Sequence, residues 1–218
     1  MEHRPFAQTG RGTRKSGQTD AEDTMPSIIL ASGSPYRREL LEQAGYDVTA
    51  VASGIDEPDL ALFPDLAAGL IYLAQLKARA VQRLGHSGVI LGADTVSLAG
   101  GHILGKPADR AVARQMLEQL SGTTHQVLTG WCLLRTTDEL ALTGVEQTEI
   151  TMRRWTESEI LAYLDSGEWQ GKCGAYGLQL PIDPFVTGMA GSASNVIGLP
   201  LERLAEVWRE FPSLGVNE

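Results

Sequence analysis

The sequence predicts an α/β fold on a mixed β-sheet, and three observations carry that prediction. Apolar strand-like runs alternate with helical segments from Ser27 onward. Some neighbouring strands are joined by hairpin signals, so the sheet is not wholly parallel. No internal repeat or low-complexity linker divides the 218 residues, which fits one domain with room for two lobes.

The elements follow in order. Ser27–Leu30 (SIIL) is a short buried strand, and PYRRELLEQAG is a helix with Pro35 at its first position and Gly45 closing it. DVTAVAS reads as a strand, followed by the acidic turn GIDEP. Between about Asp65 and Leu84, Leu66, Leu70, Leu73, Leu76 and Ala80 recur at helical spacing. GVILGADTVSLAG and HILGKP are strands joined through Gly100-Gly101. A helix over ADRAVARQMLEQLSG precedes strands at HQVLTGWCLLR and VEQTEITMRRW. Thr156 and Glu159 form a capping box for a helix to Leu164, with Gly167 as its stop. After the glycine-rich GKCGAYGLQ, the segment NVIGLPLERLAEVWREF is read as the last helix.

Residues 1–24 have mixed charge, few aliphatics and no apolar stretch. They predict a disordered leader or a misassigned start with Met25 as the first residue, leaving 25–218 as the domain. The 43% hydrophobic content excludes a disordered chain, and no apolar run approaches the ~20 residues of a membrane helix. Eighteen basic against 27 acidic residues give a net charge of -9, which argues against a sequence-independent grip on nucleic acid. A small anionic ligand remains compatible, because local cations work inside an acidic protein. Cys132 and Cys173 form no C-x-x-C and read as reduced thiols of a cytoplasmic protein. The histidines form no H-x-x-x-H pair, so a zinc site is not expected.

Several stretches carry candidate chemistry. In Ala31-Ser32-Gly33-Ser34-Pro35-Tyr36-Arg37-Arg38 a strand ends and a helix begins with arginines in its first turn. Free N–H groups and the positive helix end make an anion site, and cations there are unfavourable without a counter-anion. An ordinary capped helix with solvated arginines would read the same way. Gly100 to Lys106 resembles a P-loop, but Pro107 stands where a Ser or Thr must hold Mg²⁺, so the P-loop is rejected and Lys106 is kept as a lone cation. Asp94 lies in an apolar strand, where a carboxylate needs a partner, a metal or a cleft. Asp56 and Glu57 sit in an acidic turn of a kind that is usually just solvated. Lys77 lies beside the buried stripe of its helix, as a snorkelling lysine would. Gly174, Gly177 and Gly188 with Gln179 form a loop where a ligand could approach the backbone, or a plain turn. Together these residues are the inventory for a polyphosphate–metal complex: cations at Arg37, Lys77 and Lys106, with Glu57 and Asp94 as carboxylates able to hold Mg²⁺.

In this order, LASGSPYRRELL, SGIDEP, LAQLKARA, ILGADTV, LGKP, LSGTTHQVLTG, the capping-box helix, GKCGAYGLQ and SNVIGLPL resemble the Maf family of nucleoside triphosphate pyrophosphatases from about Ser27 to Phe211. The resemblance implies a mixed twisted sheet flanked by helices, two lobes around a cleft, and often a homodimer. It also implies Mg²⁺- or Mn²⁺-dependent cleavage of a nucleoside triphosphate to monophosphate and pyrophosphate, with house-cleaning of non-standard nucleotides as its purpose. The family's phosphate motif lands on Ser32, Tyr36 and Arg37, so its first arginine is a tyrosine in this chain. Its glutamate falls on Glu57, its helix lysine on Lys77, its catalytic aspartate on Asp94 and its second lysine on Lys106. The implied roles are substrate binding for the cations, metal binding for Glu57 and Asp94, and base or metal ligand for Asp94. The substrate-discriminating positions fall on Tyr36, Thr95 and Gln179. Thr95 and Gln179 look like the dTTP/UTP branch, whereas an aromatic at 36 looks like the 7-methyl-GTP branch, so both base classes stay open. A competing class is a nucleotide-sensing or cell-division regulator without chemistry, which would not need both Asp94 and Lys106. A nucleic-acid-binding module is disfavoured by charge and by the lack of a basic–aromatic face. The partners expected are a nucleotide substrate and a second copy of the chain, with no nucleic acid and no membrane.

Overall fold

A computed structural model describes residues 27–211; the leader assigned to residues 1–24 lies outside the described residues. The elements are β1 (Ser27–Leu30), α1 (Pro35–Gln43), β2 (Asp47–Ala50), a 3₁₀ turn (Leu60–Leu62), α2 (Leu66–Arg83), β3 (Val89–Ala99), β4 (His102–Leu104), α3 (Arg110–Leu120), β5 (Thr124–Arg135), β6 (Leu140–Met152), α4 (Glu157–Ser166), a second 3₁₀ turn (Cys173–Ala175), β7 (Val186–Ala190), α5 (Ala193–Ile197) and α6 (Leu201–Glu210). The seven strands form one sheet in the order β2-β1-β3-β5-β6-β7, with β4 also on β3. β1 runs parallel to β2 and β3, while the β3–β4, β3–β5, β5–β6 and β6–β7 pairs are antiparallel. The predicted mixed α/β class is therefore what forms.

Local chemistry sets the helix ends. Asp65 caps α2 by accepting from Ala67 N and Ala68 N at 3.2 and 3.3 Å. The capping box of α4 forms as expected, and Gly167 ends the helix in the left-handed conformation. Gly100 and Gly101, with φ of 57° and 81°, make the tight β3–β4 turn.

The sheet buries side chains on both faces. On one face Ala74, Ala78 and Val81 of α2 pack over Ile90, Cys132 and Leu134. On the other, Leu91, Ala93, Trp131 and Leu133 pack with Leu41 of α1 and Leu204 of α6. A second core, at the far end of β5 and β6, gathers Leu117, Leu120, Val127, Ile150, Trp155, Tyr163 and Tyr176. β5 and β6 pair from Thr124↔Thr151 to Arg135↔Leu140 and serve both cores.

Three expectations are corrected. The last helix is two helices, because Gly198 takes φ 134° and Pro200 stands before Leu201. β6 begins at Leu140 rather than Val145, since pairing with β5 extends into residues whose sequence alone is ambiguous. The buried stripe of α2 is Leu70, Leu73, Ala74, Lys77, Ala78 and Val81, so Lys77 lies inside it rather than beside it. β7 was not anticipated; it is a short and largely exposed strand with Gly188 in its middle.

Candidate active site

The sheet makes the opening. β1 pairs with β3 only at Ile90 and Leu91, and β4 pairs at Ser97–Ala99, both on the edge away from β5. The edge of β3 from Gly92 to Val96 therefore has no strand beside it. β1 ends next to this gap and turns through Ala31–Ser34 into α1, the kind of crevice that open α/β sheets offer to ligands. Strand alternation sends Asp94 toward α2 and Thr95 to the opposite face.

Helix α2 approaches closely because two glycines face it. A Cβ on Gly92 would lie 2.0 Å from the Ala74 carbonyl oxygen, and one on Gly130 2.4 Å from the Leu70 backbone. That approach brings Lys77 Nζ to 2.5 Å from Asp94 Oδ1 and 2.9 Å from Glu57 Oε1. The Lys77 and Asp94 side chains are 8% and 14% exposed, whereas Glu57 is 47% exposed. The second oxygen of Asp94 takes no hydrogen bond from any described residue.

On the other face, Arg37 donates from Nε to the Gly198 carbonyl at 2.9 Å, from one terminal nitrogen to Ser32 Oγ at 3.2 Å, and from the other to Thr95 Oγ1 at 2.9 Å. All three acceptors are neutral, so its charge is held without being neutralised. Burial lowers the Arg37 pKa, and the nearby Asp94 charge opposes that shift. Gly198 admits the guanidinium, since a Cβ there would sit 3.3 Å from Arg37 Cγ. The first turn of α1 holds no acidic residue, leaving that helix end positive.

The second lobe supplies the facing wall. Gly174 N donates to the Gly105 carbonyl at 3.0 Å, which fixes the backbone beside the exposed Lys106. Cys173 Sγ donates to the Thr95 carbonyl at 2.8 Å, on the open edge of β3. Burial pushes the Cys173 thiol up, with Arg37 pulling it down, so it serves as a donor rather than a nucleophile. Tyr36 lines the cleft with Lys172 Nζ 5.3 Å from its ring centre.

These elements enclose a cleft of about 1220 Å³. Its lining includes Ser32, Tyr36, Arg37, Glu57, Lys77, Asp94, Thr95 and Lys106, so eight expected residues converge. Gln179 does not join them: it is exposed, and its N–H donates to Asp183 Oδ2 at 2.9 Å. Sequence reasoning missed Lys172, Cys173 and His125, all of which line the cleft. His125 is 4% exposed with no partner at Nδ1, and burial lowers its pKa to about 4. Lys172 and Cys173 lie in the GKCGAYG segment, whose glycines signalled a close backbone and nothing about its side chains. His125 gave no signal beyond a polar residue in a strand.

The donor set fits a divalent cation that is completed by its ligand. Among the described residues no group of three or more His, Cys, Asp or Glu side chains converges. Glu57 and Asp94 do converge on one ammonium, and two carboxylates against one lysine leave one net negative charge. Mg²⁺ commonly takes one or two carboxylates and completes its shell with phosphate oxygens and water.

The Maf-like protein family profile matches residues 27–211. A dTTP/UTP pyrophosphatase from Pelotomaculum thermopropionicum is 41% identical over 188 residues, covering 86% of this chain and 97% of the relative. One from Deinococcus radiodurans is 42% identical over 187 residues, covering 86% of this chain and 94% of the relative. Among solved structures, the Staphylococcus aureus Ham1 protein aligns at 12% identity with a TM-score of 0.41, covering 58% of this chain and 71% of that one, too loosely to argue from.

Proposed function

The chain belongs to the Maf-like protein family, and on that premise we propose that it is a nucleoside triphosphate pyrophosphatase that prefers dTTP and UTP. The observation that carries the reading is the convergence at the open edge of β3, where Lys77 holds Asp94 at 2.5 Å on one face and Arg37 holds Thr95 at 2.9 Å on the other. Relatives named dTTP/UTP pyrophosphatase support the base preference, as does Thr95 in the cleft lining, whereas Gln179 stands outside it.

Ser32, Arg37, Lys77, Lys106 and the N-terminus of α1 receive the triphosphate. Asp94 keeps one oxygen on Lys77, and its other oxygen orients a water and accepts its proton. The water oxygen bonds to the α-phosphorus, the bond from that phosphorus to the bridging oxygen breaks, and pyrophosphate leaves with the electron pair. Arg37 and Lys106 offset the charge that grows on the leaving group, the main task in phosphoryl-type transfer. Mg²⁺ or Mn²⁺, held by Glu57 and Asp94, would supply further charge neutralisation at the phosphate oxygens. No nucleophilic side chain is required.

We extend the reading to a cytoplasmic homodimer that binds neither nucleic acid nor membrane. In support, no helix among the described residues is long and apolar enough to cross a membrane, and Cys132 and Cys173 are free thiols. The test is pyrophosphate release from dTTP, UTP, CTP and 7-methyl-GTP with Mg²⁺ or Mn²⁺. The expected outcome is turnover of dTTP and UTP that Asp94→Asn lowers by about 10²-fold or more, with the fold kept because Glu57 still pairs with Lys77. Nucleotide binding without turnover by the parent protein would overturn the enzyme and favour a sensor.

A further inference from the structure

The cleft carries a fourth cation that the phosphate-binding set above does not use. Lys172 starts from the loop before the second 3₁₀ turn, and its side chain is 13% exposed although it ends in an ammonium. The side chain runs close over Gly177, where a Cβ would lie 2.6 Å from both Lys172 Cδ and Nζ. The path ends with Nζ 5.3 Å from the ring centre of Tyr36. Tyr36 stands one residue before Arg37, on the α1 turn that faces the triphosphate.

The partner of Lys172 is weak for so enclosed a charge. Nζ lies 2.6 Å from Glu168 Oε2, but Glu168 is 54% exposed. Water competes for that carboxylate, and pairs of this kind contribute little. A polyphosphate, which presents several charges at once, is the stronger acceptor.

We propose that Lys172 is a further substrate-binding residue, which supplies positive charge to the phosphate chain at the first turn of α1, where Tyr36 carries none. The ring of Tyr36 then steers the ammonium through its negative face instead of stacking on a base. Glu168 holds the ammonium at 2.6 Å and gives it up to the ligand. This rests on the pyrophosphatase reading, and its test separates the two.

The probes are UTP turnover and the affinity of inorganic tripolyphosphate, which has no base. Lys172→Met is expected to raise KM for UTP and weaken tripolyphosphate about tenfold or more, the scale of a hydrogen bond to a charged group, with kcat much less affected. Glu168→Gln frees the ammonium, so KM is expected to hold or fall. Tyr36→Arg in the Lys172→Met background is expected to recover most of the lost affinity. A lysine that only anchors Glu168 predicts the opposite pattern: both single variants lose melting temperature alike, neither moves KM, and Tyr36→Arg rescues nothing. That pattern would overturn the proposal. If Lys172→Met folds poorly, Glu168→Gln alone keeps the proposal falsifiable, because a rise in KM for UTP or weaker tripolyphosphate binding in that variant would overturn it. A parent protein that turns over no nucleotide and binds no tripolyphosphate would instead remove the pyrophosphatase reading beneath it.

Discussion

Replacing Lys77 by methionine keeps the length and apolar stem of the side chain and removes only its charge. Asp94, 14% exposed, then loses the ammonium at 2.5 Å, whereas Glu57, 47% exposed, is rehydrated at little cost. Removing one member of a buried pair costs about 3–5 kcal/mol, against at most about 1 kcal/mol for an exposed pair. Asp94 retains access to the cleft, so the lower end applies, about 3 kcal/mol. For a chain of this size each kcal/mol moves Tm by roughly 2–4 °C, which gives a drop of about 6–12 °C. Urea titration and scanning calorimetry read both quantities. The double variant Lys77→Met/Asp94→Asn, with no orphaned carboxylate, should regain most of the loss while remaining inactive. A single variant within about 1 kcal/mol of the parent, or a double variant no more stable than the single, would refute the assignment of this ion pair to the buried class.

Gly92→Ala is expected to cost more than about 3 kcal/mol, because its Cβ would meet a backbone carbonyl at 2.0 Å. Gly105→Ala, with open space around the new Cβ, should stay within about 1 kcal/mol of the parent, and the two are compared by denaturant midpoint. His125 predicts a pH dependence. Its folded pKa of about 4 lies below the unfolded value of about 6.5, so the unfolded chain binds the extra proton between them and stability falls as pH drops through that window. The loss at pH 5 is about 2 kcal/mol relative to pH 7, and His125→Leu should flatten the profile. The hydrogen bond from Arg153 holds Glu159 down at about 2, so that group acts only below about pH 4.5 and leaves the window to His125.

Much of the fold was legible because local signals agreed with the tertiary outcome. Alternating strand and helix runs, the capping box at Thr156 and the Gly100-Gly101 turn each named an element that forms. The failures share a cause, a long-range contact overriding a local pattern. Lys77 has the sequence look of a snorkelling residue, yet the buried face of α2 includes it because Gly92 and Gly130 draw the helix onto the sheet. The helix expected from Asn195 onward breaks at Gly198, where the carbonyl turns out to meet Arg37. Acidic and basic site residues were legible because charge in an apolar context is conspicuous. Lys172 and Cys173 were not, since their roles depend on a loop folding back over β3 and α1, which no local spacing encodes.

The shared β5–β6 ribbon has a mechanical consequence. Strands of 12 and 13 residues, paired through almost their whole length, span about 40 Å and form the floor of both cores. Neither lobe owns a sheet that it could keep if the other melted. Heat or denaturant should therefore collapse both together in one cooperative transition, and hydrogen exchange should find its slowest amides along this ribbon. The same stiffness bars the two walls from swinging as independent jaws. The cleft can tighten only by twisting the ribbon or by moving short loops such as the one carrying Lys172, so the alignment of Arg37, Lys77 and Asp94 is set by the sheet and not by a closing motion.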